Sequence, residues 1–397
     1  MKWIDELKVR SSVGKLGNQN IGVYPYQQLI TLGLNVPFGS TEVMSSGAAT
    51  VVVPNPNLTW ETTRVVDAGI DVSFFNGKLG LTVDYYNKLT SGILYTVSAS
   101  QVLGLTASVQ NAGEVSNKGI DIDLRYRGTV GDFKFSIAPN FSYVKNRVER
   151  LANLEKDITN GWFVGYSLGS IYGYRAQGLF VDQADINAHA TQFRTPKPGT
   201  IKFEDISGPN GVPDGKVDAD YDRTIIGNTF PKYNFGMNLS GSYKNFDLSV
   251  LLTGVAGVNK ILSGRQPDGT QNSGFQNNAF IQGSNPQQWM YEDHWSVDNP
   301  NPNAAYPRLS ILGGQEEQFQ TSTFIMQDAS FLRVSNVQIG YTFKPDVVAR
   351  LRMTNFRIYA SARNLLTFDK FQEGWDPETG VGYPPIRVFN LGLNLGF

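Results

Sequence analysis

The chain closes on FNLGLNLGF, residues 389–397, in which Phe389, Leu391, Leu393, Leu395 and Phe397 alternate without a break with Asn390, Gly392, Asn394 and Gly396. Strict alternation of this kind marks a strand with one apolar and one polar face. The same pattern recurs upstream in pairs joined by turn residues. In DAGIDVSFFNGKLGLTVDYYNKL, Ala68, Ile70, Val72 and Phe74 precede Asn76-Gly77, and Leu79, Leu81, Val83 and Tyr85 follow. Asn-Gly predicts a two-residue hairpin turn, because both central positions of a type I′ turn need positive φ. In GIDIDLRYRGTVGDFKFSIAPNFSY, Ile120, Ile122, Leu124 and Tyr126 form one stripe, and Phe133, Phe135, Ile137, Phe141 and Tyr143 the next. In YNFGMNLSGSYKNFDLSVLL, Tyr233, Phe235, Met237 and Leu239 lead to a tight turn at Lys244-Asn245, then to Phe246, Leu248, Val250 and Leu252. Two more strands are expected over residues 337–343 and 356–362. The total is ten strands, or twelve if residues 147–232 hold another pair.

Composition fits a large all-β protein. Of 397 residues, 41% are apolar and only 17% charged, with 41 Gly, 24 Phe, 18 Tyr and 6 Trp. A net charge of −1 gives no electrostatic footprint for nucleic acid. With no Cys, disulfides and thiolate metal sites are excluded, and His189 and His294 are the only histidines available for acid–base work near neutral pH. No apolar run is long enough for a transmembrane helix, but mean hydropathy near −0.25 does not argue against a membrane barrel, whose strands average near zero. MKWIDELKVR is no signal peptide, because Asp5 and Glu6 interrupt it before an apolar core forms. The expectation is therefore that a leader lies outside this chain.

Alternation alone leaves two architectures open. The faces opposite the apolar stripes carry Asp71, Asp84, Asp121, Asp123, Arg125 and Asp247. A soluble sandwich would bury the stripes, whereas a membrane barrel would turn them to lipid and the charges to its lumen. Connection lengths discriminate. Short connections fall near residues 75–78, 128–132, 244–245 and 344–355, and long ones near 15–60, 91–118, 147–232, 254–330 and 364–385. Long and short alternate, as in outer-membrane barrels with short periplasmic turns and long outer loops. The fold expected is an all-β, antiparallel transmembrane β-barrel, and Phe397 is its assembly signal, the terminal aromatic by which outer-membrane machinery recognises a client strand. A self-contained porin-like barrel and a soluble glycan-binding β-sandwich are the competing readings.

Several stretches resemble the C-terminal half of the SusC/RagA family, TonB-dependent outer-membrane transporters of Bacteroidota. They are LKVRSSVGKLGNQNIGVYPY (7–26), NPNLTWETTRVVDAGIDVSFFNGKLGLTVDYYNKLTSGIL (55–94), NAGEVSNKGIDIDL (111–124), LGSIYGYRAQGLF (168–180), DGKVDADYDRTIIGNTFPKYNFGMNLS (214–240), FLRVSNVQIGYTF (331–343), ASARNLLTFDKFQEGWDPE (360–378) and the terminal strand. The resemblance covers the whole chain, residues 1–397. It implies a part of a barrel of the 22-strand class, a plug domain and early strands lying outside this chain, energy delivered by TonB, a SusD-like surface lipoprotein as partner, and an oligosaccharide (glycan) or peptide substrate. Half a barrel leaves two open edges that lipid does not tolerate, so the missing half is expected as a partner, fused or separate.

Three stretches offer chemistry. FEDISGPNGVPDGKVDADYDRT (203–224) places Asp205, Ser207, Asp214, Asp218 and Asp222 as oxygen donors for a structural calcium, with Asp214-Gly215 like the D-G step of a calcium loop. The family's loop often reads as a shorter D-x-N-G-D-G run, and the residues inserted here break that register. NPQQWMYEDHW (285–295) clusters Trp289, Tyr291, His294 and Trp295, whose aromatic faces suit sugar stacking or a lid protein. GYSLG (165–169) matches G-x-S-x-G around Ser167, but a nucleophile elbow needs a helix next and the following residues look like a strand, so no enzyme is expected. Trp162, Trp375 and Tyr383 are assigned to an interfacial aromatic girdle.

Overall fold

The computed structural model describes residues 3–397 apart from 21–25, 41, 97–101, 103, 107–108, 153, 159–160, 194, 263, 266–270, 273–287, 310–319, 351 and 381. Ten long strands form one sheet: β1 (Ile4–Asn18), β2 (Glu61–Phe74), β3 (Leu79–Thr96), β4 (Val109–Val130), β5 (Phe133–Leu151), β6 (Tyr233–Tyr243), β7 (Phe246–Ala256), β8 (Phe331–Thr342), β9 (Asn355–Asp369) and β10 (Val388–Gly396). Each is antiparallel to the next. Among the described residues β1 and β10 do not pair, so the sheet does not close on itself.

Cross-strand register sorts the side chains into two faces. Leu79, Tyr126, Ile137, Leu239, Val250, Val337, Ala362 and Phe389 lie opposite one another from β3 to β10. Lys8, Asp71, Thr82, Asp123 and Asn140 form a row on the other face. Among the described residues no second layer covers the apolar face: Leu391 is 79% exposed and Leu393 62%. A sandwich buries that stripe, so the sandwich reading fails here and the membrane wall stands. The polar face is concave, with a hollow of about 560 Å3 lined by groups such as Glu6, Lys8, Asp71, Asp123 and Arg125.

Aromatics bound the apolar face at both ends. Tyr243 pairs in register with Phe133 and Phe246 beside the short turns, and the Phe246 ring packs tilted against Tyr341 with centroids 4.8 Å apart. At the other end Tyr143 and Tyr233 lie 5.3 Å apart. From Tyr243 to Tyr233 is roughly 34 Å of strand, which a tilt of about 45° reduces to about 24 Å, the height of an outer-membrane apolar band. A girdle was expected, but with other members. Of the residues assigned to it, Trp162 packs against Tyr95 and Trp375 against Trp289, both within the loops, and Tyr383 is exposed.

The long connections, 19–60, 97–108, 152–232, 257–330 and 370–387, alternate with short ones as the sequence predicted. Two details differ. Phe74 and Leu79 are the last pair of their hairpin, so the turn has four residues, with positive φ at Phe75, Asn76 and Gly77. The wider turn is held from β1: Trp3 stacks on Phe74 at 5.5 Å, and Asp5 accepts the Gly77 N–H at 2.9 Å. The connection expected over 91–118 shrinks because β4, at 22 residues, runs well beyond the 9–11 a membrane strand needs. Residues 152–232 contribute nothing to the main sheet. Ser170–Tyr174 pairs with Arg223–Asn228, and Ala176–Leu179 with Ile201–Phe203, so the wall has ten strands and not twelve.

Among the described residues, three buried clusters lie at the long-connection end. Val258, Leu262, Met290, Tyr306, Ile325, Ala329 and Phe371 form one. Tyr174, Leu179, Ile201, Phe203, Val217, Trp295 and Ala304 form the second. The third joins Tyr95, Ala112, Val115, Val148 and Leu151, where β3, β4 and β5 project beyond the band. A barrel wall has lipid on one side and a lumen on the other, so its loops are where a hydrophobic core can form.

Candidate functional site: the inner wall and its loop cap

The concave wall is a surface of paired charges. Arg10 of β1 reaches Asp71 of β2 at 2.7 Å and Asp84 of β3 at 2.9 Å, tying three strands together. Asp71 also accepts from Thr82 at 2.9 Å. Ser142 donates to Asp121 across β4 and β5. Arg357 of β9 holds Asp247 of β7 at 2.5 and 3.0 Å, two strands away. Each contact crosses neighbouring strands in a low-charge protein, where forked guanidinium–carboxylate geometry fixes register as well as charge. The carboxylates on this face follow from the alternation. Their partners Arg10 and Arg357 were missed, although both lie in the polar phase of their strands.

In the terminal strand, the polar phase also explains a glycine. A Cβ at Gly392 would meet the Tyr359 ring at 2.3 Å. The ring lies flat across the wall there, with the Arg357 guanidinium 5.2 Å from its centroid.

The cap is fastened to the wall by a buried cation. Arg333 of β8, only 4% exposed, pairs with Asp376 and Glu378 of the β9–β10 connection, each at 2.5 Å. Lys260 donates to the Glu378 carbonyl, and burial holds its pKa below the usual lysine value against the pull of Asp376 and Glu378. Burial likewise pushes the Tyr174 and Tyr306 phenols up to about 12. The cap thus holds neutral phenols in its cores and paired charge at its base.

Sequence and structure comparisons agree with this geometry. Residues 2–250 match the family described as TonB dependent receptor-like, beta-barrel. The chain belongs to that family. It is 29% identical to TonB-dependent receptor P3 of Formosa agariphila over 98% of its own length and 39% of that protein's. It is 27% identical to TonB-dependent receptor SusC of Bacteroides thetaiotaomicron, covering 99% of this chain and 38% of SusC. Among solved structures, the RagAB peptide transporter superposes with a TM-score of 0.78 at 25% identity, over 100% of this chain and 41% of that one. The chain therefore spans about two fifths of the length of the relatives it matches. It is an outer-membrane wall, and the face with Leu391 and Leu393 is its lipid face.

Within this TonB-receptor barrel, the residues singled out from sequence occupy different settings. Asp222 is fully buried and accepts three backbone N–H groups, from Ile206, Ser207 and Asp218, at 2.7–3.1 Å. Asp218 accepts from Asp220 and Tyr221, Asp214 from Lys216, and Asp205 from Gly215. These contacts shape the loop backbone. Among the described residues no three His, Cys, Asp or Glu side chains gather as a metal site. Asp205 keeps one buried carboxylate oxygen, Oδ1, without a hydrogen-bond partner.

In the aromatic stretch, 285–287 lie outside the described residues. Trp295 is buried in the second cluster, and Trp289 stands edge-on to Tyr306 and Trp375 in the first. Tyr291, at 66% exposure, is the aromatic there that faces solvent, with the His294 ring beside it. Ser167 donates to Asn146 at 3.2 Å and precedes the Ser170–Tyr174 strand, so the elbow's strand–turn–helix context is not built. His189 lies edge-on to Phe180. Phe397 is 83% exposed at the end of β10.

Proposed function

We propose that this chain is the C-terminal part of the barrel of a TonB-dependent importer that carries oligosaccharides or peptides across the outer membrane. The observation that supports the reading is the pairing of a lipid-facing apolar band with a concave, ion-paired wall beneath a folded loop cap. Such a wall performs no covalent chemistry. Its ion pairs, Arg10 with Asp71 and Asp84 and Arg357 with Asp247, offer hydrogen bonds and fixed dipoles to a polar solute or a plug. In this proposal the plug and the remaining strands come from outside these residues, and TonB acts through the plug. A SusD-like lipoprotein rests on the cap, where Tyr291 and Tyr383 are exposed aromatics. The peptide class is that of the RagAB peptide transporter, and the oligosaccharide class is what the SusC/RagA resemblance implies.

The test is to tag this chain, extract outer membranes in mild detergent and identify what co-purifies. The proposal expects plug-bearing sequence, on this polypeptide or another, together with a surface lipoprotein. Recovery of this chain by itself, folded and dispersed in water once detergent is removed, would overturn it.

A further inference from the structure

We infer that the lipid face carries a seat for one phospholipid of the periplasmic leaflet, centred on Gly241. Gly241 of β6 lies on the apolar face between Phe135 and Leu248 in its cross-strand row. Side chains stand above and below it: Leu239 toward the middle of the band, and Phe133, Tyr243 and Phe246 at the short-turn edge. The missing side chain leaves an apolar hollow of about 410 Å3. A Cβ at 241 would already come within 3.2 Å of the Phe133 ring, so glycine keeps the hollow open.

The hollow opens beside a cation. Lys244, the first residue of the β6–β7 turn, holds its ammonium 5.2 Å from the centroid of the Tyr243 ring. Among the described residues no carboxylate lies within ion-pair distance of it. The turn belongs to the short, periplasmic side, where the phosphates of that leaflet sit. An acyl chain in the hollow and its own phosphate on Lys244 satisfy both features with one molecule. The hollow is continuous with the membrane band, which argues for lipid in place of a protein partner.

The probe is the phospholipid that remains bound when the intact transporter containing this chain is extracted from outer membranes. It is washed through phospholipid-free detergent, and bound lipid is counted by mass spectrometry. About one phospholipid per chain is expected to stay with the wild type. Lys244→Asn removes the ammonium while suiting the left-handed turn position, φ 53°, better than lysine does. It should lower retention about fivefold. Gly241→Leu fills the hollow and should abolish retention. Retention at the wild-type level in either variant, no bound phospholipid in the wild type, or a second barrel seated on this face would each overturn the proposal. If Gly241→Leu fails to assemble, Lys244→Asn decides alone.

Discussion

Arg333 shows how one side chain can hold a loop to a wall. Its guanidinium is buried, and so is most of Asp376, while Glu378 is largely exposed and contributes less. Arg333→Ala leaves the Asp376 charge without its partner, a loss of roughly 3 kcal/mol for a buried pair. The expected result is faster tryptic cleavage at Lys370 and Arg387, the two ends of the released connection, with the barrel itself intact. Asp185 makes a pH prediction. Burial alone would raise its pKa, but the Lys202 ammonium at 2.6 Å and the Val181 N–H outweigh burial and hold it below the ordinary carboxylate value. A carboxyl depressed in the folded state contributes stability that is present above its unfolded pKa and lost as pH falls through the folded one. Hydrogen-exchange protection of amides 181–189 should hold from pH 7 to about 4 and decline below it, and Asp185→Asn should flatten that decline. The alternation placed Asp71, Asp84 and Asp247 on one face, because period 2 is written in neighbouring residues. It was silent on Arg333 meeting Asp376, a contact made across 43 residues of chain.

Strand by strand, the wall was legible and the cap was not. Each strand of the sheet carries its own stripe, so β2 to β10 could be identified from local pattern alone. In the β5–β6 and β7–β8 connections the segments that fold as the cap are two to six residues long and take their conformation from the clusters around Tyr174 and Tyr306. Burial there comes from residues far apart in sequence, which local pattern does not encode. That is why Trp289 and Trp295 looked available for a ligand when one is half-buried and the other buried. The two-faced strand makes a sharp prediction on β7. Val250→Arg puts a guanidinium against lipid near mid-band and should destabilise the inserted barrel by roughly 2–4 kcal/mol in denaturant titrations from vesicles. Ser249→Arg, one residue away on the lumen face, should have little effect. In β10, replacing Phe397 with a polar residue should reduce the amount of barrel assembled in the outer membrane while leaving synthesis unchanged, as fractionation would show.

At the scale of the molecule, the ten strands of the described residues, with β1 and β10 not paired to each other, form a wall and not a pore. Unpaired edges cannot face hydrocarbon, so closure requires strands beyond these ten, in keeping with a match to two fifths of the relatives' length. Residues 1–397 expressed by themselves should give no ion conductance in planar bilayers, and conductance should appear only with the complementary strands in a form from which the plug has been deleted. The central claim is that one face of this sheet meets lipid and the other water. The chain contains no cysteine, so single-cysteine spin labels at residues 246–252 of β7 can be read without background. In the inserted transporter, labels at 246, 248, 250 and 252 should collide with membrane-dissolved oxygen, and labels at 247, 249 and 251 with an aqueous nickel chelate. Collision with the nickel chelate at every position, or no alternation along the strand, would contradict the account.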